Sequence, residues 1–119
     1  MIKVGIVGYG NLGKGIERAC EVFEDMEVIG IFTRRSPEDV KAKSPVYSMD
    51  ELVSFKDKID VCLLAGGSAT DLMEQGPFVL ENFNTVDCYD THAKVPEYFD
   101  KMDRVGKENN TLSLISTGW

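Results

Sequence analysis

The stretch that most constrains this chain lies at its N-terminal end. Ile2, Val4, Ile6 and Val7 form a short, largely apolar run, as expected of a strand buried on both faces of a parallel sheet. That run leads directly into Gly8-Tyr9-Gly10-Asn11-Leu12-Gly13, a G-x-G-x-x-G. Gly8 permits a tight turn, Gly10 lets the backbone approach a pyrophosphate, and Gly13 allows the next helix to pack closely on the strand. Unpaired N–H groups at the start of that helix favour an anion. Glycine-rich turns are common, and the bland alternative is a purely structural turn. A strand before the motif and an amphipathic helix after it are the context that points to dinucleotide binding.

The rest of the chain repeats this alternation. Leu12, Ile16, Ala19, Cys20 and Phe23 recur at helical spacing as one apolar face, with Lys14, Glu17, Arg18 and Glu21 largely on the other. Residues 26–32 read as a second strand, and Ser36-Pro37 opens a polar stretch to about Ser44. Pro45-Val46-Tyr47 is a short strand candidate, and Ser48-Met49-Asp50-Glu51 is a capping box opening a short helix to about Phe55. Residues 59–65 form the next strand. Gly66-Gly67-Ser68 turns the chain, and Ser68 can cap a helix to about Asn82 that Gly76-Pro77 is expected to kink or split. A strand over 85–89, a helix entered at Pro96 and reaching about Asn109, and a strand over 112–116 complete the pattern. Strands alternating with helices or crossovers predict an α/β, doubly wound parallel sheet of about six strands in the order 3-2-1-4-5-6.

At 119 residues there is room for one such domain, but not for a cofactor domain plus a substrate domain. Hydrophobic residues at 43% and charged residues at 28% are those of an ordinary globular chain. No apolar run approaches a membrane span, and the N-terminus lacks a signal-peptide core, so the expectation is a cytoplasmic protein without a membrane partner. The net charge of −7 argues against a nucleic-acid partner and means that any anionic ligand must be held by local positive charge. Cys20, Cys62 and Cys88 are odd in number and widely spaced, which suits buried thiols better than disulfides or a zinc site; no metal is expected.

Ligands of doubly wound sheets bind at the carboxyl ends of the strands, which here carry five turns. After the second strand, a site for NAD or FAD would place an acidic residue on the ribose hydroxyls. Instead the chain reads Thr33-Arg34-Arg35-Ser36, whose guanidiniums and hydroxyls suit a 2′-phosphate and favour NADP over NAD. Two solvated loop arginines are the alternative. At the next strand end, Gly66, Gly67 and Ser68 would let a flat ring and its ribose lie against the backbone, or simply cap a helix. Asp71 is expected to compensate that helix's dipole and not to act as a catalyst. Beyond the following strand, His92 offers a proton shuttle or, as the commoner case, a solvated or structural side chain. Asp90 is the better candidate, because an ionised carboxylate beside the nicotinamide could hold a substrate ammonium. Thr117, Gly118 and Trp119 form the fifth turn.

Together these stretches resemble meso-diaminopimelate D-dehydrogenase, an NADP-dependent amino acid dehydrogenase family of lysine biosynthesis. The likeness spans residues 1–119. It rests on Val7 to Gly13, Gly30 to Arg35, Gly67 to Asp71, Thr85 to Asp90 with His92, and Ser116 to Trp119. The resemblance implies oxidative deamination of the D-centre of meso-diaminopimelate, giving L-2-amino-6-oxopimelate, ammonia and NADPH. It implies NADP contacts at Tyr9, Asn11 and Leu12, at Thr33, Arg34 and Arg35, and at Ala65, Gly66, Gly67, Ser68, Ala69 and Thr70. It adds Cys88, Tyr89, Asp90, Thr117, Gly118 and Trp119, with Asp90 also facing the substrate as the catalytic-site residue. Thr33 stands where the family is expected to carry serine, a change that keeps the hydroxyl. Family members continue past this Trp into a substrate and dimerisation domain and act as homodimers. The chain is therefore expected to be the N-terminal nucleotide-binding domain of a longer enzyme, inactive alone. A free-standing binding or redox-sensing module, or another NADP reductase such as a dihydrodipicolinate reductase, are the competing readings. The former should continue into a capping helix or tail after Trp119.

Overall fold

A computed structural model describes residues 1–67 and 71–117. Strand β1 (Ile2–Val7) lies centrally, flanked by β2 (Met26–Thr33) on one side and β4 (Val61–Leu64) on the other. With β3 (Val46–Ser48), β5 (Asn84–Asp87) and β6 (Ser113–Leu114), the sheet is entirely parallel and runs β3-β2-β1-β4-β5-β6. The strand order reverses between β1 and β4, which opens a crevice at their carboxyl ends.

Period-two alternation divides the strand side chains between two faces. Val7, Phe32, Cys62 and Leu64 point to one, where α2 (Leu72–Leu80), α3 (Val95–Asn109) and the 3-10 segment Met49–Phe55 cover them. Val4, Ile6 and Ile31 point to the other, under α1 (Asn11–Val22). Three-residue β3 has few ladder bonds of its own. Its Tyr47 packs with Phe32 and Phe55 at centroid distances of 5.6 and 4.8 Å, and such pairs contribute about 0.5–1.5 kcal/mol each beyond their burial. The expected capping box is present: Ser48 N–H donates to Glu51 Oε2 at 2.9 Å, and Ser48 Oγ accepts from Asp50 N–H.

Two features depart from the sequence reading. Gly76-Pro77 does not split its helix; α2 is continuous through Pro77. A proline inside a helix costs about 3 kcal/mol. Leu72, Val79 and Leu80, on both sides of it, are almost wholly buried in one core, and each contributes roughly 1.5–3 kcal/mol. The second departure is in α1, whose buried positions are Gly13, Glu17 and Cys20, while Leu12 and Phe23 are largely exposed. Glu17 turns inward because its carboxylate finds two donors there, described below.

Candidate functional site

Three chain turns meet at the crevice. Gly8 adopts φ +94°, a conformation that L side chains rarely take, and its N–H donates to Phe32 O at 2.8 Å. A Cβ at residue 13 would lie 2.5 Å from the Gly8 carbonyl oxygen, so only glycine lets α1 start this close to β1. Gly10 is different: among the described residues a Cβ there would meet nothing within 4 Å. Gly10 is also the N-cap of α1, and among the described residues no side chain caps the helix. The first N–H groups of α1 are thus left for an anion.

On the β2 side, Thr33 is buried and its Oγ1 accepts from Arg35 N–H at 3.0 Å, which shapes the turn. Arg35 Nη2 donates to Tyr9 O at 3.2 Å, tying this turn to the glycine loop. Arg34 forms an ion pair with Asp71, its side chain 64% exposed. Exposed pairs of this kind contribute about 0–1 kcal/mol, so a phosphate could take over the guanidinium at little cost.

On the β4 side, Ala65 N–H donates to Val7 O at 2.8 Å and brings Ala65, Gly66 and Gly67 to the same cleft. Asp71, at the N-cap of α2, accepts from Gly67 N–H at 3.3 Å, which fits its expected place at the helix start. Gln75 Oε1 is buried there without a hydrogen-bond partner among the described residues. The expected contacts at Ser68, Ala69 and Thr70, and the cap by Ser68, lie outside the described residues.

The resulting cleft has a volume of about 910 Å³ and is lined by Gly8, Tyr9, Gly10, Thr33, Arg34, Arg35, Ala65, Gly66 and Gly67, all expected from the sequence. Lys14, Lys41, Asp39 and Gln75 line it too and were not anticipated. Arg34, Arg35, Lys14 and Lys41 stand against Asp39 and Asp71, a local cationic excess in an acidic chain. The space beside Gly10, the uncapped helix start and this excess fit the phosphates of a dinucleotide. Asn11 and Leu12 form the first turn of α1 beside the cleft without lining it, and Gly13 is buried beneath Gly8.

The ends of β5 and β6 lie farther along the same sheet edge and do not line this cleft. Asp87, 1% exposed, organises them. Its Oδ1 accepts from Tyr89 N–H and Ser116 N–H, both at 3.0 Å, and its Oδ2 accepts from Tyr98 Oη at 2.5 Å. Its carbonyl accepts from Thr117 N–H at 2.9 Å and Thr117 Oγ1 at 2.8 Å. Ser116, at φ +57°, is held in a left-handed conformation by this network. Burial and the neighbouring carboxylate push the Tyr98 hydroxyl far up from its ordinary range, so it stays a donor.

The Tyr89 ring is buried and stacked on Tyr98 at 4.2 Å, so it presents backbone but no ring surface at the strand end. Cys88 Sγ lies 3.6 Å from Thr117 Oγ1, and Asp90 and His92 are exposed. Gly118 and Trp119 lie outside the described residues. The sequence reading missed Asp87, whose signal was an acidic residue at the end of an otherwise uncharged strand.

Cys20 and Cys62 are buried and free, and burial pushes the Cys62 thiol up to about 12, so it is no nucleophile. Cys88 is half-buried, more open than expected. Among the described residues no cluster of His, Cys, Asp and Glu could hold a metal, and no helix is long and apolar enough to cross a membrane.

No protein-family profile matches the chain. Among curated proteins, it is 52% identical to the meso-diaminopimelate D-dehydrogenase of Lysinibacillus sphaericus over 120 residues, covering 99% of this chain but only 37% of that protein. Among solved structures, it superposes with a TM-score of 0.93 on a multiply substituted Clostridium tetani E88 meso-diaminopimelate dehydrogenase with DAP, at 49% identity, covering 100% of this chain and 37% of the other. An engineered D-amino acid dehydrogenase bound to NADP+ gives the same TM-score at 39% identity, covering 99% and 36%. By sequence and by fold, this chain is homologous along 99% of its length to the N-terminal part of the meso-diaminopimelate D-dehydrogenases.

Proposed function

We propose that this chain is the NADP-binding domain of a longer enzyme that oxidatively deaminates the D-centre of meso-diaminopimelate in lysine biosynthesis. The observation that carries the cofactor reading is the pairing of Arg34 and Arg35 at the end of β2, lining the cleft where an NAD site would carry an acid. The engineered D-amino acid dehydrogenase with NADP+ supports the same reading.

In this reading the uncapped start of α1, from Gly8 to Gly13, holds the pyrophosphate. Arg34 and Arg35, with the turn shaped by Thr33, hold the 2′-phosphate. Ala65, Gly66 and Gly67 would hold more of the dinucleotide from the β4 side of the cleft, and the family resemblance adds Ser68 to Thr70, Cys88 to Asp90 and Thr117 to Trp119 as cofactor contacts. NADP held by these residues would supply the hydride acceptor for oxidation at the substrate Cα, with water replacing the nitrogen and ammonia leaving. Asp90 holds the substrate ammonium, and the groups that orient the rest of the substrate lie in the remainder of the enzyme. On the family resemblance, the full-length protein is a cytoplasmic homodimer.

Full-length protein incubated with meso-diaminopimelate and NADP should form NADPH and ammonia; no turnover would overturn the proposed activity. Asp90→Asn keeps the side-chain size and removes the charge. Loss of one charge-assisted hydrogen bond, about 1.5–3 kcal/mol, should lower kcat/KM roughly 10- to 100-fold while NADP affinity is retained. An unchanged kcat/KM would remove Asp90 from the substrate site.

A further inference from the structure

Glu17 is a buried acid on the face of α1 turned to the sheet, beside a cleft assigned to phosphates. A carboxylate there weakens anion binding through its charge, so its presence calls for a compensating role. Its two oxygens join separate parts of the cleft wall. Oε1 accepts from Tyr9 Oη of the glycine turn, and Oε2 accepts from Ser44 N–H at 2.8 Å. Ser44 closes the strap from Arg34 to Pro45, whose inner residues Asp39, Val40 and Lys41 line the cleft. The carbonyl of the same Tyr9 accepts from Arg35. One connected network therefore runs from Arg35 through Tyr9 and Glu17 to the end of the strap. The strap also meets α1 through the exposed pair Lys43–Glu21 at 3.4 Å, where solvent screens the charges.

We propose that Glu17 is a positioning residue for the 2′-phosphate, fixing Arg35 and the strap carrying Lys41 relative to the glycine turn and so setting the preference for NADPH over NADH. This rests on the cofactor reading above. Burial alone would raise the Glu17 carboxyl, but hydrogen bonds from Tyr9 and Ser44 outweigh it and hold the group below its ordinary range. The reciprocal effect, led by the bond to Glu17, holds the Tyr9 hydroxyl up at about 12. Glu17 thus stays an acceptor and Tyr9 a donor at neutral pH, which keeps the bridge closed.

The test is titration of NADPH and NADH into the full-length wild type and its Tyr9→Phe, Glu17→Leu and Glu17→Gln variants, with circular dichroism melts on each. Tyr9→Phe removes one hydroxyl and should weaken NADPH roughly 2- to 12-fold, the range of a net hydrogen bond, and weaken it more than NADH. Glu17→Leu strands both donors and should weaken NADPH roughly 10- to 100-fold. Glu17→Gln, which can accept from Ser44 and donate to Tyr9, should restore most of the preference. A wild type that binds both nucleotides equally would overturn the cofactor reading itself. A wild-type preference left intact by Tyr9→Phe in a folded sample, with or without a lower Tm, would overturn the positioning role alone. Should Glu17→Leu fail to fold, Tyr9→Phe decides.

Discussion

Gly8, Gly10 and Gly13 share one motif but are glycine for different physical reasons. Gly8 supplies a positive φ, and Gly13 gives way to the Gly8 carbonyl. Among the described residues nothing stands within 4 Å of a Cβ at Gly10, which lines the cleft, so the space beside it is open to a ligand. These reasons separate in a pair of variants. Gly13→Ala forces backbone apart and should lower stability by about 1–3 kcal/mol, read from chemical denaturation. Gly10→Ala should leave the denaturation midpoint nearly unchanged and weaken NADPH by a similar energy, roughly 5- to 150-fold in Kd. The motif, the paired arginines and the glycines after β4 were legible as residues because their chemistry is local. Lys14, Lys41 and Gln75 were not, since nothing in their immediate sequence says that α1, the strap and α2 turn them to one cleft.

At the scale of elements, the ends of β5 and β6 are joined by a buried carboxylate. Asp87 accepts from Tyr98 on α3 and from backbone on both sides of the strand pair, so it fixes where Asp90 and Thr117 begin. Tyr98→Phe should cost about 1–3 kcal/mol, because it leaves a buried oxygen short of a donor. Asp87→Ala should cost roughly 3 kcal/mol or more, because several buried donors are stranded together. Equal denaturation midpoints for wild type and Asp87→Ala would contradict this account. The strands and helices themselves were readable from periodicity, to within a residue or two at most ends. Helix α1 was placed correctly, and Ile16 and Cys20 of its expected apolar face do turn to the core, whereas Leu12, Ala19 and Phe23 are exposed and Glu17 is buried. Polarity put Glu17 on the solvent side, whereas donors from Tyr9 and Ser44, eight and 27 residues away, turn it inward. Likewise Pro77 pointed to a kinked or split helix, and the tertiary burial of Leu72, Val79 and Leu80 keeps it in one piece.

For the whole molecule, alternating strands and right-handed crossovers narrow the topology to a few doubly wound orders, and the glycine fingerprint after the first strand selects 3-2-1-4-5-6 among them, the order the sheet has. Net charge carries the complementary lesson. At −7 the chain repels anions at long range, so a phosphate-bearing ligand depends on the cations gathered at the cleft. The proposed NADP site at Arg34 and Arg35 is tested most directly by fluorescence titration of NADPH and NADH at two salt concentrations. Each guanidinium–phosphate contact should contribute about 1.5–3 kcal/mol, less where solvent reaches it. NADPH should therefore bind the wild type more tightly than NADH. Replacing both arginines with alanine should weaken NADPH roughly 10- to 1,000-fold, leave NADH nearly untouched, and remove most of the salt dependence of the preference. Equal affinities for the two nucleotides in folded wild-type protein would contradict the claim.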